Sequence, residues 1–211
     1  AYIIPSGPQN RYAGIRKHRF HFEHLEYLMR SGFCEELISA KNMEDAFNTL
    51  LSVESFGKFL AYQFVTDLNY SEWFQFSETE FVVPGPGALD GIRKCFEDLG
   101  EFSESEVIRW MAENQEQHFD RLGYIFPTLW GRPLQLIDCQ NLFCEVDKYS
   151  RVAHPELQGH SGRTRIKQKF MPKTEPIKAW YPPKWGVNDK ILSATNSSLS
   201  RLEGGIPIAV G

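Results

Sequence analysis

The chain contains no run approaching the ~18–20 consecutive apolar residues that cross a bilayer. Its opening "AYIIPSGP" lacks the basic start and long apolar core of a secretory signal. The cytoplasm is therefore the expected compartment. Cysteine is scarce, and Cys34, Cys95, Cys139 and Cys144 form no CxxC pair and no zinc-ligand spacing. Such scattered residues speak against an iron–sulfur cluster and for small core side chains in a reducing compartment. His18, His21, His24, His118, His154 and His160 make no metal set either, so no metal is expected. The Lys-Ser/Thr that completes a P-loop is missing, which leaves nucleotide hydrolysis without a motif. Internal repeats, low-complexity tracts and convincing alternating strands are missing as well.

What is present is globular. The 211 residues are 42% hydrophobic, 24% charged and 14% aromatic, ample for a core. The net charge of −4 is uneven: residues 160–190 carry +6 and residues 1–159 carry −10. That contrast predicts an acidic body with a basic arm. Residues 1–18 read as an extended lead-in, 19–155 as a helical domain and 156–211 as an irregular basic segment. Within the helical part, 19–30 predicts a helix burying Phe22, Leu25, Leu28 and Met29. A second begins at the N-cap Asn42, with Phe47, Leu50 and Leu51 inward. A third, over 55–70, would bury Phe56, Phe59, Leu60, Gln63 and Phe64. Ser103 and Glu106 form a capping box ahead of Val107, Trp110, Met111 and Phe119. The fold class is all-α.

Two segments carry chemistry. In "FVVPGPGALDGIRKCF" an apolar run meets Pro84-Gly85-Pro86-Gly87 and then a helix. Gly85 and Gly87 permit positive φ and would leave N–H groups uncovered at a helix N-terminus, where an anion is favoured. A ligand-free helix connection would use the same residues. In "RPLQLIDCQNLFCEVDKYSR" an apolar run ends at Asp138, and a helix over roughly 138–152 follows. Asp138, Asn141, Glu145 and Lys148 share one face, and Asp147 with Arg151 can pair at i,i+4. The stripe of Cys139, Leu142, Val146, Tyr149 and Ala153 reads as core. N-capping alone would account for Asp138, and a solvated face for the rest. A carboxylate at the end of a buried stretch is also a candidate site. In "RTRIKQKF" the spacing puts Arg163, Arg165, Lys167 and Lys169 on one side of an extended segment.

Together the two segments resemble the helix–hairpin–helix DNA glycosylase superfamily, in which a Gly-rich hairpin precedes a helix headed by a catalytic Asp. The hairpin would be "VVPGPGALDGI" and the acid Asp138, with an extra helix at 103–123 between them. The position of the Schiff-base lysine is Leu89, and the four-cysteine cluster of some members is absent, so strand cleavage is not implied. More narrowly, "GPGALDGIRKCF" and "DCQNLFCEVDKYSR" resemble the alpha-glutamyl/putrescinyl thymine pyrophosphorylase family, also described as the helical domain associated with 5-hydroxymethyluracil DNA kinase. The likeness spans about residues 20–155.

This resemblance implies work on a modified thymine flipped out of double-stranded, phage-type DNA, in a bacterial or phage-infected cell. The expected reaction is phosphorylation, or amine-for-phosphate transfer, at the 5-methylene. Asp138 would take the nucleophile's proton or stabilise cationic character at the methylene, and Lys148 and Arg151 would neutralise the departing anion. In the alternative, a monofunctional glycosylase, Asp138 would stabilise the sugar cation or activate water. Asn141 and Glu145 would then read the base or orient the acid. A non-catalytic DNA-binding module is the third reading. In each, Gly85, Gly87, Arg163, Arg165, Lys167 and Lys169 would hold DNA phosphates; in the two catalytic readings Phe126 or Trp130 would stack on the flipped base or fill its gap, though core packing would account for either. No cofactor is evident, and a nucleotide stays open if a kinase portion lies elsewhere.

Overall fold

The computed structural model describes residues 14–166 and 179–191. Eight α-helices lie whole among them: α1 Lys17–Arg30, α2 Phe33–Ile38, α3 Met43–Leu51, α4 Lys58–Asn69, α5 Pro86–Cys95, α6 Glu104–Glu113, α7 Gln115–Arg121 and α8 Leu136–Ala153; residues 188–191 are helical as well. A 3-10 turn, Pro183–Trp185, precedes this last stretch. The described residues hold no strand, only an antiparallel bridge between Leu129 and Arg132. The all-α class is therefore observed.

The helix starts follow local chemistry. The Asn42 side chain accepts from the Asp45 N–H at 2.8 Å, and Glu44 and Asp45 sit in the first turn, where the helix dipole favours acids. Ser103 and Glu106 close the capping box, with the Ser103 N–H on Glu106 Oε2 at 2.7 Å. Pro86 occupies the first turn of α5, where its missing N–H costs nothing.

The buried faces differ from those expected. On α1 it is Phe20 that is buried, while Phe22, Leu25 and Met29 are exposed. On α4 the buried set is Ala61, Tyr62, Val65, Thr66 and Asn69, with Phe59 and Phe64 turned outward. Trp110 is also exposed, and Phe119 stacks on Phe126 at 4.6 Å. The core gathers Tyr62, Val65, Ala88, Ile92, Ile108, Leu136 and Phe143 from α4, α5, α6 and α8.

The most extensive helix contact joins α5 to α8. Three small residues on α5, Gly87, Ala88 and Gly91, are buried there. A Cβ on Gly87 would stand 2.6 Å from Cys144 Sγ, and one on Gly91 would overlap the Phe143 carbonyl. The glycines let the two backbones meet. Of the cysteines only Cys139 is fully buried, where burial raises its thiol pKa to about 11. Cys95 is exposed, contrary to the expectation of four core thiols.

Candidate functional site

The α8 helix begins at Leu136, two residues earlier than expected, with Gln135 as N-cap. Asp138 is therefore the third helical residue rather than the cap. Its Oδ2 accepts from the Gln135 N–H at 2.8 Å, the acid's half of a capping box. The same Oδ2 faces Arg132 Nη1 at 3.5 Å. Both partners use one oxygen, and Oδ1 has no hydrogen-bond partner among the described residues. The side chain keeps 36% of its surface exposed. Asp138 is thus a carboxylate gripped on one edge and open on the other.

Arg132 is delivered by a tight reversal. Trp130 and Gly131 both have positive φ, 50° and 92°, and Leu129 pairs with Arg132 across them. A tryptophan in the left-handed region costs roughly 1–3 kcal/mol, and such strain clusters at functional sites. Trp130 remains exposed at the tip. The guanidinium also binds Glu78 Oε2 at 2.6 Å and lies 3.8 Å over the Trp185 ring. Trp185 Nε1 donates to Glu78 Oε1 at 2.9 Å, so three side chains fix one another. Tyr70 packs edge-on against Trp185. Burial, then the negative charges of Glu78 and Asp138, push the Tyr70 phenol well above its ordinary pKa. Glu78, Arg132, Tyr70 and Trp185 did not figure among the sequence candidates. They come from three distant stretches, and only the strained Trp130-Gly131 pair marks the place locally.

The other candidates separate. Asn141 is exposed, and its Oδ1 accepts from Gln140 Nε2 at 2.7 Å. Glu145 and Lys148 pair with each other on the surface of α8. Arg151 lies roughly 20 Å along the helix from Asp138, at 1.5 Å rise per residue. It is committed inward: Nε and Nη2 bind the buried Asp147, and Nη1 donates to the Arg165 carbonyl at 2.9 Å. Lys94 completes this buried cluster, with Nζ 2.9 Å from Asp147 Oδ1. The expectation that Arg151 faces a departing anion beside Asp138 is therefore corrected. So is the core stripe: Leu142, Val146 and Tyr149 are exposed, and the buried line runs through Leu136, Gln140, Phe143, Asp147 and Ser150.

The glycine turn is corrected too. Gly85 has φ −73°, and Gly87 lies inside α5 without a positive φ. The Gly85 N–H is not open to an anion, because it donates to Gln140 Oε1 at 3.1 Å. A Cβ there would press on Phe59 at 2.8 Å. Turn and acid are joined through α8, yet they face different partners. Arg163 and Arg165 are exposed, and Lys167 and Lys169 lie outside the described residues. Phe126 is half-buried against Phe119, which leaves Trp130 as the exposed member of that pair. A recess of about 200 Å³ elsewhere is lined by Phe96, Asp98, Leu99, Phe102, Val107 and Trp110. The described residues hold no group of three or more His, Cys, Asp or Glu able to bind a metal. No helix among them is long and apolar enough to cross a membrane.

Comparison with known protein families matches residues 1–159 to the one described as "5-hmdU DNA kinase, helical domain". The chain belongs to this family. Both the glycine turn and Asp138 fall inside the matched region. A "5-hmdU DNA kinase" of Bacillus phage SP10 is 26% identical over 139 residues, which cover 62% of this chain and 21% of that protein. The chain thus spans about a fifth of the relative's length. No solved structure matches.

Proposed function

We propose that this helical domain holds 5-hydroxymethyl-2′-deoxyuridine (5-hmdU) in double-stranded DNA, extruded from the stack, with Asp138 facing its 5-hydroxymethyl group. The observation that carries this reading is the one-sided grip on Asp138. Gln135 and Arg132 orient the carboxylate through Oδ2, and Oδ1 is left to accept a hydroxyl proton. The family match supplies the base: both this chain's family and the phage relative are described by 5-hmdU and by DNA kinase.

On this reading Asp138 serves the acceptor side of the reaction. It takes the proton of the hydroxyl to be phosphorylated, or of the amine that later displaces the phosphate-type group. Glu78 and Asp138 already share the Arg132 guanidinium, so the cations that hold the donor's phosphates come from outside this cluster, and the γ-phosphoryl meets the hydroxyl on the side away from Asp138. Trp130 would stack on the extruded base or fill its gap. Asn141 and Glu145 would read neighbouring edges, and Lys148, Arg163 and Arg165 would meet phosphates.

The test is nucleoside mass spectrometry after incubation with a nucleoside triphosphate and duplex DNA carrying 5-hmdU. A heavier nucleoside is the expected product, and Asp138→Asn should slow its formation at least ~100-fold. That variant keeps the oxygen that caps Gln135, so it should fold. Abasic sites would favour excision instead. Unchanged DNA, bound without preference for 5-hmdU, would reject the reading.

A further inference from the structure

We infer that residues 159–165 form a preorganised strap for the phosphates of duplex DNA, with the buried carboxylates Asp90 and Asp147 as its positioning residues. This rests on DNA being the partner, as in the reading above, and not on the chemistry at Asp138.

Asp90 is 1% exposed on α5. A carboxylate so buried must find donors. Ser161 supplies both: its N–H stands 2.8 Å from Oδ1, and its hydroxyl donates to Oδ2. The strap approaches so closely that a Cβ on Gly159 would lie 2.7 Å from Asp90 Cγ. Four residues after Ser161 a second anchor holds the Arg165 carbonyl through Arg151 Nη1 at 2.9 Å. Arg151 is itself fixed by Asp147, which is 0% exposed and shared with Lys94. Both anchors stand on α5 and α8, the most closely joined pair of helices.

The strap has no acidic residue from Leu157 to Ile166. Between and beside its anchors it presents Arg163 and Arg165, both exposed. Neither side chain has a hydrogen-bond or ion-pair partner among the described residues. Lys148, about one turn before Arg151 on α8, is half-exposed and paired with Glu145. Planar guanidinium groups suit phosphate oxygens. A free arm would lose its freedom on binding, whereas an anchored one has lost it already. The sequence reading of a basic arm is thereby deepened: its root is built into the fold.

The test uses an ordinary thymine duplex, so its outcome is independent of any base chemistry. Replacing both Arg163 and Arg165 by Ala should lower the magnitude of the slope of log affinity against log salt by about 2, near 0.9 per lost phosphate contact. Ser161→Ala and Asp90→Asn should weaken binding several-fold while keeping the wild-type slope, because the arginines remain but must be ordered on binding. Thermal melting accompanies each variant, and Ser161→Ala decides the matter if Asp90→Asn fails to fold. A wild-type slope in the double arginine variant, or wild-type affinity in Ser161→Ala, overturns the strap. A strap that behaves as stated while 5-hmdU DNA stays unmodified leaves this inference standing and removes the chemical one.

Discussion

Asp138 and Trp130 do opposite things with local energy. Asp138 sits where a helix welcomes a carboxylate, in the first turn and bonded to the N-cap amide. Its role in capping and its open Oδ1 are compatible because each uses a different oxygen. Trp130 sits where a tryptophan is unwelcome, at φ 50°. Asparagine tolerates that conformation far better. Trp130→Asn should therefore leave the melting temperature within a few degrees, the relieved backbone offsetting lost ring contacts. Affinity for a duplex with an extruded base should fall about 10-fold, the scale of one aromatic–base stack. A variant that binds as tightly as wild type would assign the strain to packing alone. Position 138 stood out in the sequence because an apolar run ends there, but as an N-cap, whereas the helix starts two residues earlier. Glu78, Arg132 and Trp185 did not, since nothing local says that residues so far apart will share one guanidinium.

At the scale of elements, the helices were legible and their faces were not. Asn42 and the Ser103–Glu106 box announced their helices through side-chain oxygens three residues from the N–H groups they satisfy. The inward face of α8 could not be found by hydropathy, because three of its buried residues are Gln140, Asp147 and Ser150. Their partners are the Gly85 amide, the Lys94 and Arg151 cations and the Val146 carbonyl. Two of these groups belong to chain more than fifty residues away. Leu142, Val146 and Tyr149 looked like the core and instead face solvent. The glycine turn was legible as a special place and misread in purpose, since its small residues serve the α5–α8 contact. Gly91→Ala should thus destabilise the fold by ~3 kcal/mol or more, because the new methyl group meets backbone and cannot be accommodated by a rotamer change. Urea denaturation checks this, and a loss under 1 kcal/mol would show that α5 and α8 can separate at little cost.

For the whole molecule, the buried cluster of Lys94, Asp147 and Arg151 links α5, α8 and the strap. Burial raises the Asp147 pKa, but the hydrogen bonds from Arg151 and Lys94 outweigh it and hold the carboxyl below its ordinary value. A folded pKa below the unfolded one stabilises at neutral pH. That contribution is lost as pH falls through the ordinary aspartate range, near ~3.9, and on toward the folded value. Urea midpoints should accordingly drop below about pH 4. Asp147→Asn should cost about 3–5 kcal/mol at pH 7, because it leaves two cations without their counter-charge. The same variant should flatten the acid-side fall, and a fall as steep as in the wild type would place the acid sensitivity elsewhere.

On the proposed reading, the open edge of Asp138 addresses the 5-hydroxymethyl group of a base in DNA. Its most direct test is the ratio of affinities for two duplexes that differ only in one 5-hmdU for thymine. A hydrogen bond to a charged group contributes about 1.5–3 kcal/mol, so the wild-type protein should prefer 5-hmdU by roughly 10-fold or more. Asp138→Asn, which retains the cap but not the charge, should reduce that preference to within about 3-fold and leave thymine-duplex affinity unchanged. Equal affinity of the wild type for both duplexes, or a preference untouched by the substitution, would show that Asp138 does not face that group.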